Sequence, residues 1–329
     1  MQQTLPNFLV KRAFLTPNRE ALVFEQKRYT FSDVYERARV RAGQLASCGV
    51  KAGETLAVLL KNDAETIFLL YSFHLLNVKA VLLNDRLTAR ELSWQLNDAN
   101  VTTLITERAF LETVTKLKAE WQGGRLLMKE DVIQKKAIDV AVASEIDVED
   151  VCTIMYTSGT TGHPKGVLQT YGNHWWSAVG AALNVGLSER DGWLLALPLY
   201  HISGYSILMR SLIYGMKVVL LRSFDERAAL ETIRRENVTM MSVVSTMLAR
   251  MIEAMKDETL PPSFRCMLLG GGTASESLLK ACQEKRIPVY QTYGMTETAS
   301  QIVTIAPEDA LRKLGSCGKP LFPAQLKIV

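Results

Sequence analysis

The 329-residue sequence lacks the features that mark several large classes of protein. No apolar run approaches the roughly 20 residues that a membrane-spanning helix needs, and the polar start, MQQTLPNF, has no signal-peptide core. Its 38 basic and 34 acidic side chains give a net charge of +4, with no block of like charge. We therefore expect no nucleic-acid partner and no insertion into a membrane, while the oligomeric state is left open.

Cysteine is also scarce and is not arranged as a disulfide framework. The five cysteines are an odd number without C-x-x-C spacing, at Cys48, Cys152, Cys266, Cys282 and Cys317. This usage is typical of reduced thiols in a cytoplasmic protein and excludes a cysteine-based metal site.

Apolar strands and amphipathic helices alternate along the chain. The predicted strands are short and continuously apolar, at 55–60, 79–84, 101–106, 151–156, 216–221, 239–244, 266–272 and 288–293. The predicted helix starts carry capping residues, namely Thr30 with Asp33, Thr88 with Glu91, Asp225, and Thr273 with Glu276. Buried parallel strands alternate with helices in this way when both faces of a sheet are covered. The sequence predicts an α/β fold with two doubly wound parallel-sheet lobes.

The lobes are expected to divide near residue 150, with chain crossings between them left open. Residues 1–150 form the first predicted lobe, and its polar segment 120–150 is interpreted as a surface connection. Residues 151–314 form the second predicted lobe, which contains the predicted nucleotide site.

One stretch, TSGTTGHPKG (157–166), combines hydroxyls, glycines and a lysine after an apolar strand. We expect it to join the strand 151–156 to a helix near Asn173, where open α/β sheets hold ligands. Glycines let backbone N–H groups face an anion, while hydroxyls and a lysine add donors and charge. The predicted phosphate-binding residues are Thr157, Ser158, Gly159, Thr160, Thr161, Gly162 and Lys165. The alternative is a solvated turn, and the spacing excludes a Walker A loop.

The extended motif YTSGTTGHPKG resembles the phosphate-loop signature of the adenylate-forming enzymes, which include acyl-CoA synthetases, peptide-synthetase adenylation domains and beetle luciferases. Four later segments resemble motifs of the same family in the same order. They are LPLYHISG (197–204), LLGGGTAS (268–275), YGMTETAS (293–300) and GSCGKPL (315–321). The last one resembles the start of the small β-barrel of the family, so residues 315–329 are expected to begin such a subdomain.

The resemblance implies roles for residues in these motifs. The expected ATP-binding residues beyond the phosphate loop are Gly270, Gly271, Gly272, Thr273, Tyr293, Gly294 and Thr296. The expected Mg²⁺ ligands are Glu297 and Thr157. The expected acid pocket contains His201, Gly204 and Ser300. The expected catalytic residues are His201, Thr296, Glu297 and Lys165. Their own chemistry leaves alternatives open: Tyr293 as a buried ring, Glu297 in a surface ion pair, and His201 in the core. Arg222 could meet a second carboxylate or be a surface cation.

The implied reaction is ligation of a carboxylic acid to CoA, with ATP, Mg²⁺ and CoA as the required small molecules. Within the family, the N-terminal half, LPLYHISG and TETASQ are most similar to the branch that works in menaquinone synthesis. Alternatives are a fatty-acyl or aryl-acid CoA ligase and a non-catalytic nucleotide-binding fragment.

The apolar stretch AQLKIV (324–329) is interpreted as a strand without a partner. The family resemblance implies further parts, namely the rest of the β-barrel, a Y-x-T-G-D segment and a mobile C-terminal domain with a catalytic lysine. We therefore expect the 329 residues to be the large part of a longer enzyme. Alone, they should bind ATP weakly, make little adenylate and essentially no acyl-CoA.

Overall fold

The computed structural model describes residues 3–158 and 164–327. Strands β1 to β10 are Thr4–Pro6, Glu20–Phe24, Lys27–Thr30, Thr55–Leu59, Lys79–Leu82, Thr103–Thr106, Arg125–Met128, Glu145–Asp147, Val151–Thr157 and Lys165–Thr170. Strands β11 to β17 are Gly192–Leu195, Lys217–Leu220, Met240–Val243, Cys266–Leu269, Val289–Met295, Ser300–Ile305 and Lys319–Pro320.

Helices alternate with these strands, as the sequence pattern predicts. Helices α1 to α6 are Phe8–Leu15, Phe31–Ser47, Ala64–Leu76, Ala89–Asp98, Leu111–Glu120 and Lys129–Val132. Helices α7 to α11 are Tyr171–Val185, Ile202–Tyr214, Glu226–Arg235, Ser245–Met255 and Glu276–Glu284. Short 3-10 turns occupy Arg108–Phe110, Thr296–Thr298 and Pro307–Asp309.

The chain divides into two compact units, each with its own sheet. The first unit comprises residues 1–19, 29–173 and 199–201, and the second comprises 20–28, 174–198 and 202–329. The predicted boundary at residue 150 falls inside the first unit, which continues to Asn173 and includes a short later segment.

The first unit contains a six-stranded sheet in the order β10-β9-β5-β4-β6-β7. The pairs β9·β5, β5·β4, β4·β6 and β6·β7 are parallel, and β10 is antiparallel to β9. In its core, Ala57, Val81 and Leu104 of the central strands pack with Leu92 and Leu96 of α4. The parallel order aligns the carboxyl ends of β9, β5 and β4 along one edge, where doubly wound sheets bind ligands.

The second unit contains the nine-stranded sheet β17-β16-β15-β14-β13-β11-β12-β2-β3. Its central strands β15, β14, β13, β11, β12 and β2 pair in parallel, whereas β16 and β17 are antiparallel. Strands β11, β13 and β14 are buried throughout, in agreement with their continuous apolar sequence. The predicted α/β class with parallel-sheet lobes is therefore confirmed, with antiparallel strands β10, β16 and β17 added at one end of each sheet.

Three predicted helix starts are confirmed by their hydrogen bonds. Thr30 with Asp33 and Thr88 with Glu91 form complete capping boxes, and the Asp225 side chain accepts from the Ala228 amide at 2.9 Å. The predicted Thr273 cap is wrong, because Ser275 accepts from the Leu278 amide and α11 starts one residue later. The glycine turn therefore extends further than the pattern indicated.

Three other local predictions are wrong. Strand β10 intervenes between the glycine-rich stretch and helix α7, so the stretch joins two antiparallel strands instead of a strand and a helix. Segment 120–150 is not only a surface connection, because β7 forms the edge of the sheet and Trp121 and Val132 are buried. Residues 324–327 form no strand, and the last two residues of AQLKIV lie outside the described part.

Candidate functional site

The stems of the glycine-rich stretch lie on the antiparallel pair β9·β10. Thr157 is opposite Lys165 and Tyr156 is opposite Gly166 in the register. Lys165 and Ser158 are exposed, and Lys165 forms no ion pair with any described residue. The predicted residues Gly159, Thr160, Thr161 and Gly162 lie outside the described residues. The stem therefore offers a free ammonium group and hydroxyls, as a site for an anion requires.

Tyr156 connects this stem to helix α4. Its hydroxyl donates to Asp98 Oδ2 at 2.6 Å and lies 3.1 Å from the Gln95 carbonyl oxygen. The Trp94 ring meets the Tyr156 ring edge-on, with 5.9 Å between the centroids. Burial, together with the Asp98 carboxylate, raises the pKa of Tyr156, which keeps its hydroxyl protonated as a donor.

His201 belongs to a short segment that packs in the first unit. The Leu199 amide donates to Asn62 Oδ1 at 3.2 Å, which fixes this segment beside the end of β4. The His201 and Tyr200 rings are 4.7 Å apart at an angle of 59°. His201 is exposed, so the alternative of a buried core histidine is wrong.

The charges near His201 come from the loop after β5. Partial burial of the imidazole is the main cause that lowers the pKa of His201, and the positive charge of Arg86 lowers it further. The Asp85 carboxylate opposes this effect. Burial and then the Asp85 charge raise the pKa of Tyr200 to about 12. His201 is therefore a neutral imidazole near pH 7, able to donate one hydrogen bond and accept another.

In the second unit, the glycine turn follows β14, and the YGMTET motif covers the end of the neighbouring strand β15 and the turn after it. Leu269 of β14 pairs with Gln291 of β15, so their carboxyl ends meet at one edge. A Cβ at Gly270 would lie 3.3 Å from Thr292 Cγ2, which shows how closely the turn approaches β15. Tyr293 of β15 is 43% exposed, and an accessible ring is what stacking on a flat base requires. Its alternative interpretation as a buried ring is wrong.

The TETAS turn has an unusual backbone that orients Thr296 and Glu297. Ala299 and Ser300 have φ values of 50° and 106°, which are uncommon for residues with a side chain. The Thr298 hydroxyl donates to the Ser300 carbonyl oxygen at 2.7 Å and stabilises this conformation. Glu297 is exposed and pairs with no lysine or arginine in the described ranges, so the ion-pair alternative is wrong. Strained backbone that local bonds hold in place is typical of functional sites.

Two predicted glycines are required by close backbone contacts. A Cβ at Gly294 would lie 2.1 Å from the Ser300 carbonyl oxygen, and one at Gly204 would lie 2.2 Å from the Pro198 carbonyl oxygen. Any side chain at either position would therefore displace the turn. The role of Gly204 in an acid pocket stays a prediction.

Arg210 is a residue that the sequence reasoning missed. Its side chain on α8 is buried at 1% exposure, and its Nε has no hydrogen-bond partner. One terminal nitrogen lies 3.5 Å from Ser300 Oγ, and the guanidinium lies over the Trp193 ring. Burial lowers the pKa of Arg210. The signal in the sequence is an arginine inside the apolar run SILMRSLIY, a position that is costly unless the charge has a use.

The predicted residues divide between the two units. Thr157, Ser158, Lys165 and His201 lie in the first, and the predicted residues from Gly204 onward lie in the second. The two proposed Mg²⁺ ligands, Thr157 and Glu297, therefore lie in different units. Across residues 3–158 and 164–327, no group of three or more His, Cys, Asp or Glu could hold a metal by itself.

The remaining candidates have structural roles. Arg222 is a surface cation that pairs with Glu25 at 2.8 Å. None of the five cysteines, all of which lie within the described residues, forms a disulfide bond. Within the described part of the chain, no helix has both the length and the apolar character to span a bilayer.

Comparisons with known proteins agree with the motifs. Residues 9–329 match the family described as AMP-binding enzyme. A curated relative, the 2-succinylbenzoate–CoA ligase of Geobacillus kaustophilus strain HTA426, is 54% identical over 326 residues, covering 99% of this chain and 65% of the relative. The chain thus spans about 65% of the length of that relative.

Two solved proteins have a similar structure. O-succinylbenzoate coenzyme A synthetase from Bacillus subtilis, in complex with ATP and magnesium ion, is 46% identical with a TM-score of 0.92, covering 97% of this chain and 66% of that chain. The N-terminal domain of FACL13 from Mycobacterium tuberculosis is 29% identical with a TM-score of 0.90, covering 98% of this chain and 83% of that chain.

Proposed function

Since the chain belongs to the AMP-binding enzyme family, we propose that it carries the nucleotide and acid sites of an ATP-dependent carboxylate–CoA ligase. In the first step a carboxylate oxygen attacks the α-phosphorus of ATP, which gives an acyl adenylate and pyrophosphate. In the second step the CoA thiol attacks the acyl carbon, which releases AMP and leaves a thioester. The proposed acid is o-succinylbenzoate, whose thioester serves menaquinone biosynthesis, and this acid is named in the relatives at 46% and 54% identity.

The observation that carries the choice of acid is the buried Arg210. O-succinylbenzoate has two carboxylates, and only one of them reacts with ATP. The other keeps its negative charge and needs a cation in the pocket, because a buried carboxylate is stable only when it is paired. Arg210 has an unpaired Nε and reaches Ser300 Oγ, so we assign the unreactive carboxylate to this pair. A fatty acid has no second anion, and a buried guanidinium would remain uncompensated.

The other residues have roles that follow from their chemistry. The phosphate loop, with Thr157, Ser158 and Lys165, binds the β and γ phosphates through hydroxyl and ammonium donors. Tyr293 stacks on adenine, and Gly270–Gly272 leaves room for the base. Oxygen ligands from Glu297 and Thr157 suit Mg²⁺, which would neutralise phosphate charge when bound. The neutral His201 orients the reacting carboxylate by a hydrogen bond.

Two alternatives remain and are separable by experiment. A fatty-acyl or aryl-acid ligase shares the nucleotide motifs, so only the acid that reacts separates it from the proposal. A non-catalytic nucleotide-binding module would bind ATP without releasing pyrophosphate. We also propose a cytoplasmic location, because five cysteines that form no disulfide bond suit a reducing compartment.

ATP–pyrophosphate exchange across a panel of acids tests the proposal. The panel should contain o-succinylbenzoate, benzoate and fatty acids, and the protein should be wild type, Arg210→Met and Arg222→Met. We expect the fastest exchange with o-succinylbenzoate, a loss of about a hundredfold or more in Arg210→Met, and no loss in the surface control Arg222→Met, because removal of one partner from a buried charge pair costs about 3–5 kcal/mol. Faster exchange with fatty acids would favour the first alternative, and ATP binding without any exchange would favour the second.

A further inference from the structure

The Tyr156–Asp98 hydrogen bond has no role in the chemistry described above, although it adjoins the phosphate loop. Tyr156 directly precedes Thr157, and it lies opposite Gly166, which directly follows Lys165. Tyr156 and Gly166 are therefore the second-to-last pair of the β9·β10 ladder, and Thr157 and Lys165 are the last pair before the loop. A contact that holds the first of these pairs also restrains the second, and with it both ends of the loop.

The Tyr156 ring contacts both strands of this pair. It is attached to β9, and a Cβ at Gly166 on β10 would lie 3.1 Å from its Cζ and 3.3 Å from its hydroxyl oxygen. The ring therefore lies across the glycine, in space that any other residue would fill. Its far end reaches α4, where Asp98 Oδ2 accepts the hydroxyl proton at 2.6 Å.

The position of Asp98 favours a specific purpose for this bond. Asp98 is the last residue of α4, where the helix dipole disfavours a negative charge. It pairs with no lysine or arginine among the residues described, and its side chain is exposed. A hydrogen bond from a hydroxyl to a carboxylate is short and strong compared with a bond between neutral groups. A carboxylate at this position is thus unfavourable for the helix, but it is a strong hydrogen-bond acceptor for Tyr156.

We propose that Tyr156 and Asp98 are positioning residues that hold both stems of the phosphate loop against the end of α4, and so set the affinity for the β and γ phosphates of ATP. They touch no phosphate themselves and act through Thr157 and Lys165. This inference rests on the proposed function, because it requires that the loop binds a nucleotide triphosphate. AMP, which lacks the β and γ phosphates, should not depend on the bond.

The test compares ATP and AMP affinities by isothermal titration calorimetry for wild type, Tyr156→Phe, Asp98→Ala and Asp98→Asn. We expect Tyr156→Phe and Asp98→Ala each to weaken ATP binding by about five- to tenfold, the effect of losing one hydrogen bond of ordinary net strength at an exposed position, and AMP binding by less than about twofold. Asp98→Asn keeps an oxygen acceptor and should recover most of the affinity. The double variant Tyr156→Phe with Asp98→Ala should be no weaker than either single variant, because both remove the same bond.

Asn97→Ala, on the exposed neighbour of Asp98, is the matched control for a general change at the helix end and should leave both affinities unchanged. Equal losses for ATP and AMP, or no loss for ATP, would overturn the positioning role. Additive losses in the double variant would overturn the coupling of the two residues. If the wild type does not prefer ATP to AMP, the proposed function of the loop fails and the inference fails with it, and this outcome is visible before any variant is compared.

Discussion

Protonation of His74 should destabilise the first unit, and the structure gives the size of the effect. The imidazole on α3 is 4% exposed, and its Nδ1 lies 3.0 Å from the Tyr171 hydroxyl and 3.8 Å from Cys152 Sγ. Burial lowers the pKa of His74 from 6.5 to about 4. The neutral ring is therefore part of the folded core, and a proton there would be a buried charge.

The sign follows from which state binds the proton more tightly. In the unfolded chain His74 takes up a proton near pH 6.5, while the folded protein resists it down to about pH 4. Stability from the neutral ring is complete above pH 6.5 and falls as the pH drops from 6.5 to 4. A difference of about 2.5 pKa units, at about 1.36 kcal/mol for each unit, corresponds to a loss of about 3 kcal/mol in the free energy of unfolding. This is a large part of the 5–15 kcal/mol typical for a folded domain.

Urea unfolding at a series of pH values between 4 and 8 measures this loss. We compare wild type with His74→Gln, which keeps a polar side chain but cannot take up a proton. The free energy of unfolding of wild type should fall by about 3 kcal/mol more than that of His74→Gln over this range. Identical pH dependence in the two proteins would refute the reasoning.

Three further predictions concern the proposed site. Lys165→Ala should weaken ATP binding more than AMP binding, since we propose that its ammonium group binds the β and γ phosphates, and equal losses in a titration would mean that it does not. Glu297→Gln should slow pyrophosphate exchange by about a hundredfold or more, because one preorganised charge-stabilising group is worth about 3 kcal/mol, and an unchanged rate would remove Glu297 from the Mg²⁺ site. His201→Ala should slow acid-dependent exchange and leave ATP affinity nearly intact, and a normal exchange rate would exclude a role for His201 in adenylation.

Much of the fold follows from short-range patterns in the sequence. The capping boxes at Thr30 and Thr88 depend on residues three positions apart, and the structure contains both. The turn near Thr273 was misplaced because Ser275, two residues later, caps equally well, and a local pattern cannot choose between them. Strand β7 was missed because its partner β6 lies about 20 residues earlier, and pairing at that distance leaves little trace in four residues.

The candidate site was predictable where its chemistry is carried by a run of unusual residues. The exposed Tyr293, Glu297 and Lys165 lie in such runs, and their assignments to nucleotide and Mg²⁺ stay predictions. Arg210 and Asp98 were missed because only the fold brings them to Ser300 and Tyr156, which are 90 and 58 residues away. The burial of the Arg210 charge and the approach of the end of α4 to β9 depend on tertiary structure. Neither can be read from a single sequence.

The central claim is that this chain activates o-succinylbenzoate as its adenylate. The most direct test uses mass spectrometry after mixing the 329-residue protein, in excess, with Mg·ATP and o-succinylbenzoate, so that even one slow turnover is visible. The account predicts o-succinylbenzoyl adenylate and pyrophosphate, both dependent on the acid. Formation of ADP and phosphate, or the absence of any acid-dependent adenylate, would contradict it.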